Sequence, residues 1–520
     1  MEPLRERDEA HTENREDRRR KMKTLLPSRN LLRGTLLVLA GLLVLGTGVG
    51  AAAPNGSAPS FTAPSSYGTG NGPNALVIGD LNGDDNPDLM TANYDEVVRS
   101  ISVLLNRGDG TFKAKVDYAL GRASHAFAVG DLNDDGHPDL AITDRARTVS
   151  VLFNGGDGVF GVKRDYRIRF QPTSIALGDL NGDRRTDLVT ANSGQSTVSV
   201  LLNRGDADFE PELDYRTGGG SLKIADLNGD RRADLLTANL HNVSVLLNRG
   251  DGSFRARRDY RTGRLPSVEI ADLNGDRRPD LVTANVAAAT VTVLLNKGNG
   301  SFRARRDYRT GRRSAEPAPT SVAIDDVNGD RKPDLVTANY GDANTVSVLL
   351  NNGNGSFRAK REYRTGRLPI SVAIGDLDGD GKPDVVTANQ LSGNLSVLRN
   401  RGDGSFQPKV EFAYGRGGRL VAINDLNGDG KPDLATARPS ANTVSVLINT
   451  PGLCTVQNVR GKTLPAAKRT TRRANCRVGK IHRAYSRVTR GRVISQKPGF
   501  GAVISGGGKV NLVVSGGRRP

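Results

Sequence analysis

Apolar residues in this chain come in short runs of four to six, set between turn residues, and the runs recur. From Ser267 the sequence reads VEIADLNGDRRPDLVTAN, then TVTVLLNKGNGSF, then RARRDYRTG. SVEIA, DLVTA and TVTVLL alternate or run apolar between turn signals, so each predicts a strand. The segment from Phe302 to Tyr308 predicts a fourth, more polar outer strand. The unit recurs with first loop aspartates at Asp80, Asp131, Asp179, Asp226, Asp272, Asp326, Asp376 and Asp425, spaced 46 to 54 residues apart. That period suits an array of four-stranded units.

Four antiparallel strands repeated radially describe a β-propeller, an all-β fold. The ends of the array predict how it closes. The eighth unit stops at Leu447-Ile448-Asn449-Thr450 and lacks the Phe…Tyr strand, which appears instead before the first unit, from Phe61 to Tyr67. The N-terminal segment is therefore expected to complete the last blade and remove an open edge. Residues 60–450 should close as eight blades, or as seven if one unit is displaced.

Composition agrees with many short strands. The 520 residues include 62 Gly and 24 Pro, no Trp, and 36% hydrophobic residues, which disfavours a helical bundle or a doubly wound nucleotide-binding enzyme. The net charge of +18 is unevenly held. Residues 451–520 carry 16 Lys/Arg and no acid, residues 1–34 carry 10 basic and 7 acidic side chains, and the rest therefore carries 18 − 16 − 3 = −1. A nearly neutral body is followed by a strongly basic tail.

Residues 34–50, GTLLVLAGLLVLGTGVG, form an uncharged apolar run that follows Arg29 and Arg33 and ends in Ala51-Ala52-Ala53. Residues 1–53 thus read as an export signal with a small-x-small cleavage pattern. Retained, its 17-residue run would just span a hydrocarbon core of about 30 Å as a membrane anchor. Either way the remainder is expected outside the cytoplasm, secreted or at the cell surface. The two cysteines, Cys454 and Cys476, both lie in the tail, and in an oxidising compartment such a pair is most simply a disulfide.

Each unit carries oxygen side chains at loop positions 1, 3, 5 and 9. They are Asp80, Asn82, Asp84 and Asp88 in loop one; Asp131, Asn133, Asp135 and Asp139 in loop two; and Asp179, Asn181, Asp183 and Asp187 in loop three. Loop four has Asp226, Asn228, Asp230 and Asp234; loop five has Asp272, Asn274, Asp276 and Asp280; loop six has Asp326, Asn328, Asp330 and Asp334. Loop seven has Asp376, Asp378, Asp380 and Asp384, and loop eight Asp425, Asn427, Asp429 and Asp433. Hard Ca2+ takes six to eight oxygens, and a tight loop can direct alternate side chains inward. Position 7 would lend only its carbonyl, which explains why Asn86, His137, Arg185 and Lys382 can all stand there. These are not EF-hands: position 12 is Thr in seven loops, where an EF-hand needs a bidentate Glu. Asp-rich turns can also cap hairpins without metal, but four correctly spaced oxygens in every unit favour calcium. Gly at position 6 eases a positive φ, and only Gly136, Gly381 and Gly430 supply it. Loop seven, with four carboxylates, ranks first, then eight and two. With free Ca2+ about tenfold above Kd, each filled site would stabilise the fold by about 1.4 kcal/mol.

The series of strand, DxNGDxxxD, DLVTAN and VSVLLNxGDGSF resembles the FG-GAP/VCBS repeat of integrin-like propellers across residues 60–450. The resemblance implies a calcium-stabilised propeller used for extracellular adhesion or ligand display, with the ligand unknown. Arg-Gly-Asp occurs at Arg107, Arg204, Arg249 and Arg401, but equivalent positions read Gly-Gly-Asp, Lys-Gly-Asn and Asn-Gly-Asn. The shared need is a tight turn rather than a recognition tripeptide. Most Phe and Tyr fall at repeat positions, where packing accounts for them better than sugar stacking.

After Pro451-Gly452, Thr463-Leu464-Pro465 is expected to open a helix running to about Asn475, followed by strands at Arg477–Ala484, Gly491–Gln496 and Lys509–Ser515. The runs VRGKTLPAAK, RVISQKPGFGAVI and GGKVNLVVS make residues 453–516 resemble a PASTA domain, a small α+β fold. The resemblance implies binding to peptidoglycan fragments. The charge of the tail would also draw it to an anionic wall polymer, with contacts screened over about 8 Å. Export and the scarcity of aromatics in the tail argue against nucleic acid as the partner.

The expected function is a non-enzymatic adhesion protein that the tail holds to the cell wall. Five scattered histidines, at 11, 125, 137, 241 and 482, form no catalytic constellation. The alternative is a polysaccharide-acting, lyase-like enzyme using the propeller face. Its candidate insertion is Arg312-Arg313-Ser314-Ala315-Glu316-Pro317, which reads as a proline-containing loop.

Overall fold

The computed structural model describes residues 59–94, 99–121, 126–144, 146–192, 194–264, 266–311, 318–341, 343–450, 454–473, 477–504 and 509–518. The segment 1–53 read as an export signal, the insertion 312–317 and Cys476 lie outside the described residues, as does the side chain of Cys454, so the disulfide expectation does too.

Blade five shows the plan of the body. Its strands Pro266–Ala271, Asp280–Asn285, Thr290–Leu294 and Arg306–Arg309 pair antiparallel in sequence order. Every residue of the second strand is buried, so alternation gives way to a nearly continuous apolar run. Facing residues on the outer strand are exposed except Tyr308, and that strand reads as polar. It is shorter than the sequence suggests. Phe302 makes only a single bridge to Asn296, and its ring is buried between blades, so pairing resumes only at Arg306.

Among the described residues there are eight such four-stranded sheets. In the last, Ala422–Asn424, Asp433–Arg438 and Thr443–Leu447 are completed by Ser65–Gly68 from the other end of the chain, with Tyr67 opposite Val444. Just before it, Ser60–Phe61 pairs with Asn449–Thr450. The edge that a linear array would leave open is thereby paired.

The apolar interior is divided into eight clusters, each shared by two neighbouring blades. One joins blades one and two through Val77, Met90, Phe127 and Phe160; another joins blades one and eight through Leu76, Leu89, Leu426 and Val446. Each cluster carries an edge-on aromatic pair between an outer strand and the turn of its neighbour, such as Tyr260 with Phe302 at 5.0 Å between ring centres. This geometry suits the ring quadrupoles, and it confirms packing as the role of these repeat-position rings.

The tail is built separately. Its helix spans Leu464–Arg473, and its sheet runs in the order Arg477–Ala484, Lys509–Ser515, Val493–Lys497, the first pair parallel and the second antiparallel. Val459, Ala467, Val493, Val510, Leu512 and Val514 form its core. The strand Val493–Lys497 starts two residues later than the sequence suggests, after Gly491 at φ +84°. A short pair, Cys454–Thr455 with Val503–Ile504, has no periodic signal at that length.

Candidate metal centres

All eight Asp-rich loops adopt one hydrogen-bonded form, and each element of it follows from the spacing. The position-1 aspartate accepts the N–H of position 6, as Asp131 does from Gly136 at 2.8 Å and Asp272 from Arg277 at 2.7 Å. The position-3 side chain accepts from position 5, and position 5 accepts from position 7: Asp230 N–H donates to Asn228 Oδ1 at 2.9 Å, and Arg232 N–H to Asp230 Oδ1 at 3.0 Å. Such Asx-type turns wind the chain so that alternate oxygens gather on one side. Position 6 is left-handed in every loop, from φ +62° at Asp85 and Arg331 to +85° at Gly136. Glycine accepts this conformation freely, whereas Asp85, Arg184, Arg231, Arg277 and Arg331 hold it under local strain.

The position-9 aspartates are different. Asp88, Asp139, Asp187, Asp234, Asp280, Asp334, Asp384 and Asp433 are almost completely buried. Each accepts the position-2 N–H of its own loop on one oxygen, as Asp280 does from Leu273 at 3.0 Å. On the other oxygen it accepts the N–H of an asparagine that ends the third strand, as from Asn296 at 2.7 Å. That asparagine then donates Nδ2 to the position-2 carbonyl of the preceding blade: Asn296 to Leu227 at 2.7 Å, and, closing the ring, Asn106 to Leu426 at 2.8 Å. These asparagines were not singled out from the sequence, although the Asn that follows VSVLL or its equivalent in all eight units was the available signal.

Burial pushes these carboxyls up, against the opposing pull of the backbone N–H groups and with added repulsion from the acids at positions 1 and 5, or at positions 1 and 3 for Asp384. The values reach about 6 in Asp88, Asp139, Asp187, Asp234, Asp280 and Asp334, about 7 in Asp433 and about 8 in Asp384. Asp378 is also raised to about 6, by burial and by Asp380 and Asp376 beside it.

Two observations bear on whether a divalent cation fits. In loop seven, carboxylate oxygens of Asp376, Asp378 and Asp384 lie within 4.8 Å of one another. In loop two, Asp131 Oδ1 is buried and has no hydrogen-bond partner, which is costly for an anionic oxygen unless a cation meets it. Hard oxygen donors of this kind suit Ca2+, and the residues present fit it. Several loops, loop seven included, meet resident cations. Position-7 side chains approach position 5 in Arg185–Asp183 at 4.0 Å, Arg232–Asp230 at 3.9 Å, Lys332–Asp330 at 3.4 Å and Lys382–Asp380 at 3.1 Å. The fourth carboxylate of loop seven is itself matched: Arg399 lies 3.6 Å from Asp378. Loops one and two have Asn86 and His137 at position 7 and so lack that competitor. His137 donates its backbone N–H to Asp135 at 2.8 Å.

Two of the Arg-Gly-Asp turns, at Arg107 and Arg401, are tied up internally. Asp109 Oδ1 accepts from both the N–H and the hydroxyl of Thr111, and Arg107 donates to the Phe112 carbonyl at 2.6 Å. Near the ring axis, inner strands of blades five to seven line a cavity of about 810 Å3 that includes Glu269 and Asp325. Glu269 is held by Lys223 at 2.8 Å.

The FG-GAP-like repeat model matches residues 80–142, 131–190, 179–237, 226–283, 272–337, 326–387 and 376–436. Each match begins at one loop aspartate and runs past the next loop, so seven overlapping matches tile eight loops. The PASTA domain model matches residues 455–516. No curated protein matches the chain. Among solved structures, Saccharomyces cerevisiae Sqt1 is similar in fold, with a TM-score of 0.53 at 10% identity over 75% of this chain and 99% of that one. An Agrocybe aegerita lectin that recognises non-reducing terminal N-acetylglucosamine aligns with a TM-score of 0.42 at 19% identity, over 70% of this chain and 99% of that one. The V. cholerae biofilm matrix protein Bap1 aligns at 0.45 and 13% identity, over 75% and 91% of the two chains. With family matches running from residue 80 to 436 over a closed ring of four-stranded sheets, the chain belongs to the FG-GAP-like repeat family, as a β-propeller followed by a PASTA domain.

Proposed function

We propose that this protein is a non-enzymatic binding protein of the cell exterior, with a propeller stabilised by Ca2+ and a basic tail that engages the cell wall. The observation that carries the first half is the placement of the acidic loops. Each hands its position-2 carbonyl to the next blade through an asparagine, so an ion that organised a loop would also brace a blade interface. Asp131, Asn133, Asp135 and Asp139 in loop two, and Asp376, Asp378, Asp380 and Asp384 in loop seven, are the sets we assign first. Bound there, Ca2+ supplies charge neutralisation. The protein's own part is to hold the carboxylates in place and, at position 9, to keep one of them out of water.

The second half rests on the PASTA match over residues 455–516 and on a tail with 16 Lys/Arg and no acid. Peptidoglycan or an anionic wall polymer is the partner class this supports, and the adhesion ligand of the propeller is a separate matter. Export through the apolar segment near the N-terminus would place both modules where wall and millimolar Ca2+ are found.

The test compares the full chain with one ending at residue 450 for sedimentation with purified bacterial walls, at low and high salt. Tail-dependent binding that survives high salt and yields to muropeptides supports wall recognition. Binding lost with salt reduces the tail to general cation attraction, and equal binding by the two chains removes it as the wall module.

A further inference from the structure

The near-zero charge of the body hides a division across the ring. Residues 60–220 contain 15 Lys/Arg and 23 Asp/Glu, a balance of −8; residues 221–367 contain 25 and 17, a balance of +8; residues 368–450 contain 8 and 9, a balance of −1. The excess of positive charge belongs to blades four to six, and much of it stands on their outer strands, Arg258–Arg261, Arg306–Arg309 and Arg361–Arg364.

On each of these strands the first and fourth residues are exposed arginines: Arg258 and Arg261, Arg306 and Arg309, Arg361 and Arg364. The single acid between them is already engaged. Asp259 is met by Arg257 at 3.5 Å, Asp307 by Arg305 at 3.4 Å and Glu362 by Lys360 at 2.6 Å. The tyrosine between them faces inward, onto Phe302, Phe357 or Phe406 of the next blade.

Charged residues on edge strands commonly serve only to prevent sheet-to-sheet association. This ring shows that such protection does not require arginine here. The equivalent positions are Val116 and Ala119 in blade one and Val410 and Ala413 in blade seven, with Val116 and Val410 41% and 42% exposed. Blade two repeats the pair as Arg164 and Arg167, but blade three interrupts with Leu213, so only in blades four to six does the pair stand on consecutive members of the ring.

We propose that the outer strands of blades four to six form an anion-binding arc for a linear anionic glycan, one bearing carboxylate, sulfate or phosphate groups along its length. Guanidinium groups recognise such oxygens with paired N–H donors. Repetition of the arginine pair from blade to blade offers a periodic partner several contacts along one chain. A glycan fits better than a single-stranded nucleic acid, because these strands turn their aromatic rings inward and offer no stacking platform for bases. The arc is distinct from both the acidic loops and the tail.

The test transplants the residues of blades one and seven onto the arc: Arg258→Val, Arg306→Val and Arg361→Val with Arg261→Ala, Arg309→Ala and Arg364→Ala, in the full chain. Binding to fluorescent dextran sulfate and polygalacturonate is measured across a salt series, with oligo-dT of equal charge as the comparison. The expected result is at least tenfold weaker glycan binding at 0.15 M salt, and a salt slope shallower by roughly three to five, since each lost contact removes up to about 0.9. A second variant, Val410→Arg with Ala413→Arg, extends the arc by one blade and should tighten binding about threefold, which keeps the test decisive if the sixfold variant folds poorly. Unchanged affinity and slope in both variants overturns the proposal, because the tail alone then explains any binding. Tighter binding of oligo-dT than of either glycan also overturns it.

Discussion

The ring of Phe61 meets that of Phe412 edge-on, 4.9 Å between centres and at 77° between planes. Phe412 lies on the outer strand of blade seven, and in the other blades its position is a tyrosine that contacts the phenylalanine of the next turn. Blade eight has no such turn of its own, so Phe61 stands in for it from 351 residues away in sequence. Tyr67 then repeats the contact toward Phe112 of blade one, at 5.0 Å. Replacing Phe61 by Ala should cost about 2–3 kcal/mol, less than a fully buried phenylalanine because the residue is only partly covered. Urea unfolding monitored by circular dichroism reads this directly. Loss of stability no greater than for an exposed residue such as Tyr485 would show that the seam closes without it.

Calcium should matter more to loop two than to loops carrying a position-7 cation. Chelation is expected to lower the melting temperature, and Asp131→Asn should remove part of the Ca2+-dependent rise while leaving the metal-free melting temperature almost unchanged. Calorimetric titration and thermal melts check both. A melting temperature indifferent to Ca2+ from micromolar to millimolar would refute a structural role for the ion.

In metal-free protein the buried position-9 acids impose a pH dependence whose sign can be fixed. Their folded values, about 6 to 8, lie above the ordinary 3.8, so the folded chain holds protons that the unfolded chain releases. Their contribution is full below about pH 4 and is lost as the pH rises through 6 to 8. Metal-depleted protein should therefore melt at lower temperature at pH 8 than at pH 6, and added Ca2+ should shrink or reverse that difference. Melts at the two pH values, with and without Ca2+, decide the matter.

Asn351 donates to the Leu273 carbonyl at 2.8 Å and to the Pro333 carbonyl at 2.9 Å, and accepts from Gly353 at 2.8 Å. Truncation to alanine strands two buried carbonyls, at a cost of about 2–4 kcal/mol. Its effect should reach blade five as well as blade six. Hydrogen exchange would show this as lost protection around Leu273, and protection lost in blade six alone would contradict the clamp.

Arg399 occupies a position that is Leu in blades one, three, four, five and six, and it faces Asp378, which is Asn in every other loop. Arg399→Leu should raise the Ca2+ affinity of loop seven by about tenfold, since a cation that competes for the same carboxylate is removed from a partly buried pair. Terbium luminescence titration follows it, and unchanged affinity would mean that the arginine does not oppose the ion.

Much of this architecture was legible because a repeated unit states its rules several times. The Asp spacing located every loop, and the displaced Phe61…Tyr67 segment revealed the closing strand, since a missing piece is visible only against seven intact copies. Phe302 was less readable: its apolar character marks burial but does not say whether the burial lies within a strand or between blades. The tail's Cys454–Thr455 pairing left no mark, because two residues are too few to show a period. Loop seven illustrates a different limit. Counting carboxylates ranked it first, yet the partner that tempers Asp378 lies 21 residues further on, just past the end of the third strand, where only folding brings it alongside.

The pairing of Ser60 with Thr450 also sets an order of events. The first strand residues to be synthesised are the last that can be placed, since their partners are made almost 400 residues later. Until then the growing stack carries an unsatisfied edge at each end, and blade eight waits with three strands. Completion is thus a single late step, and a chain halted anywhere before it would be an open arc rather than a smaller ring.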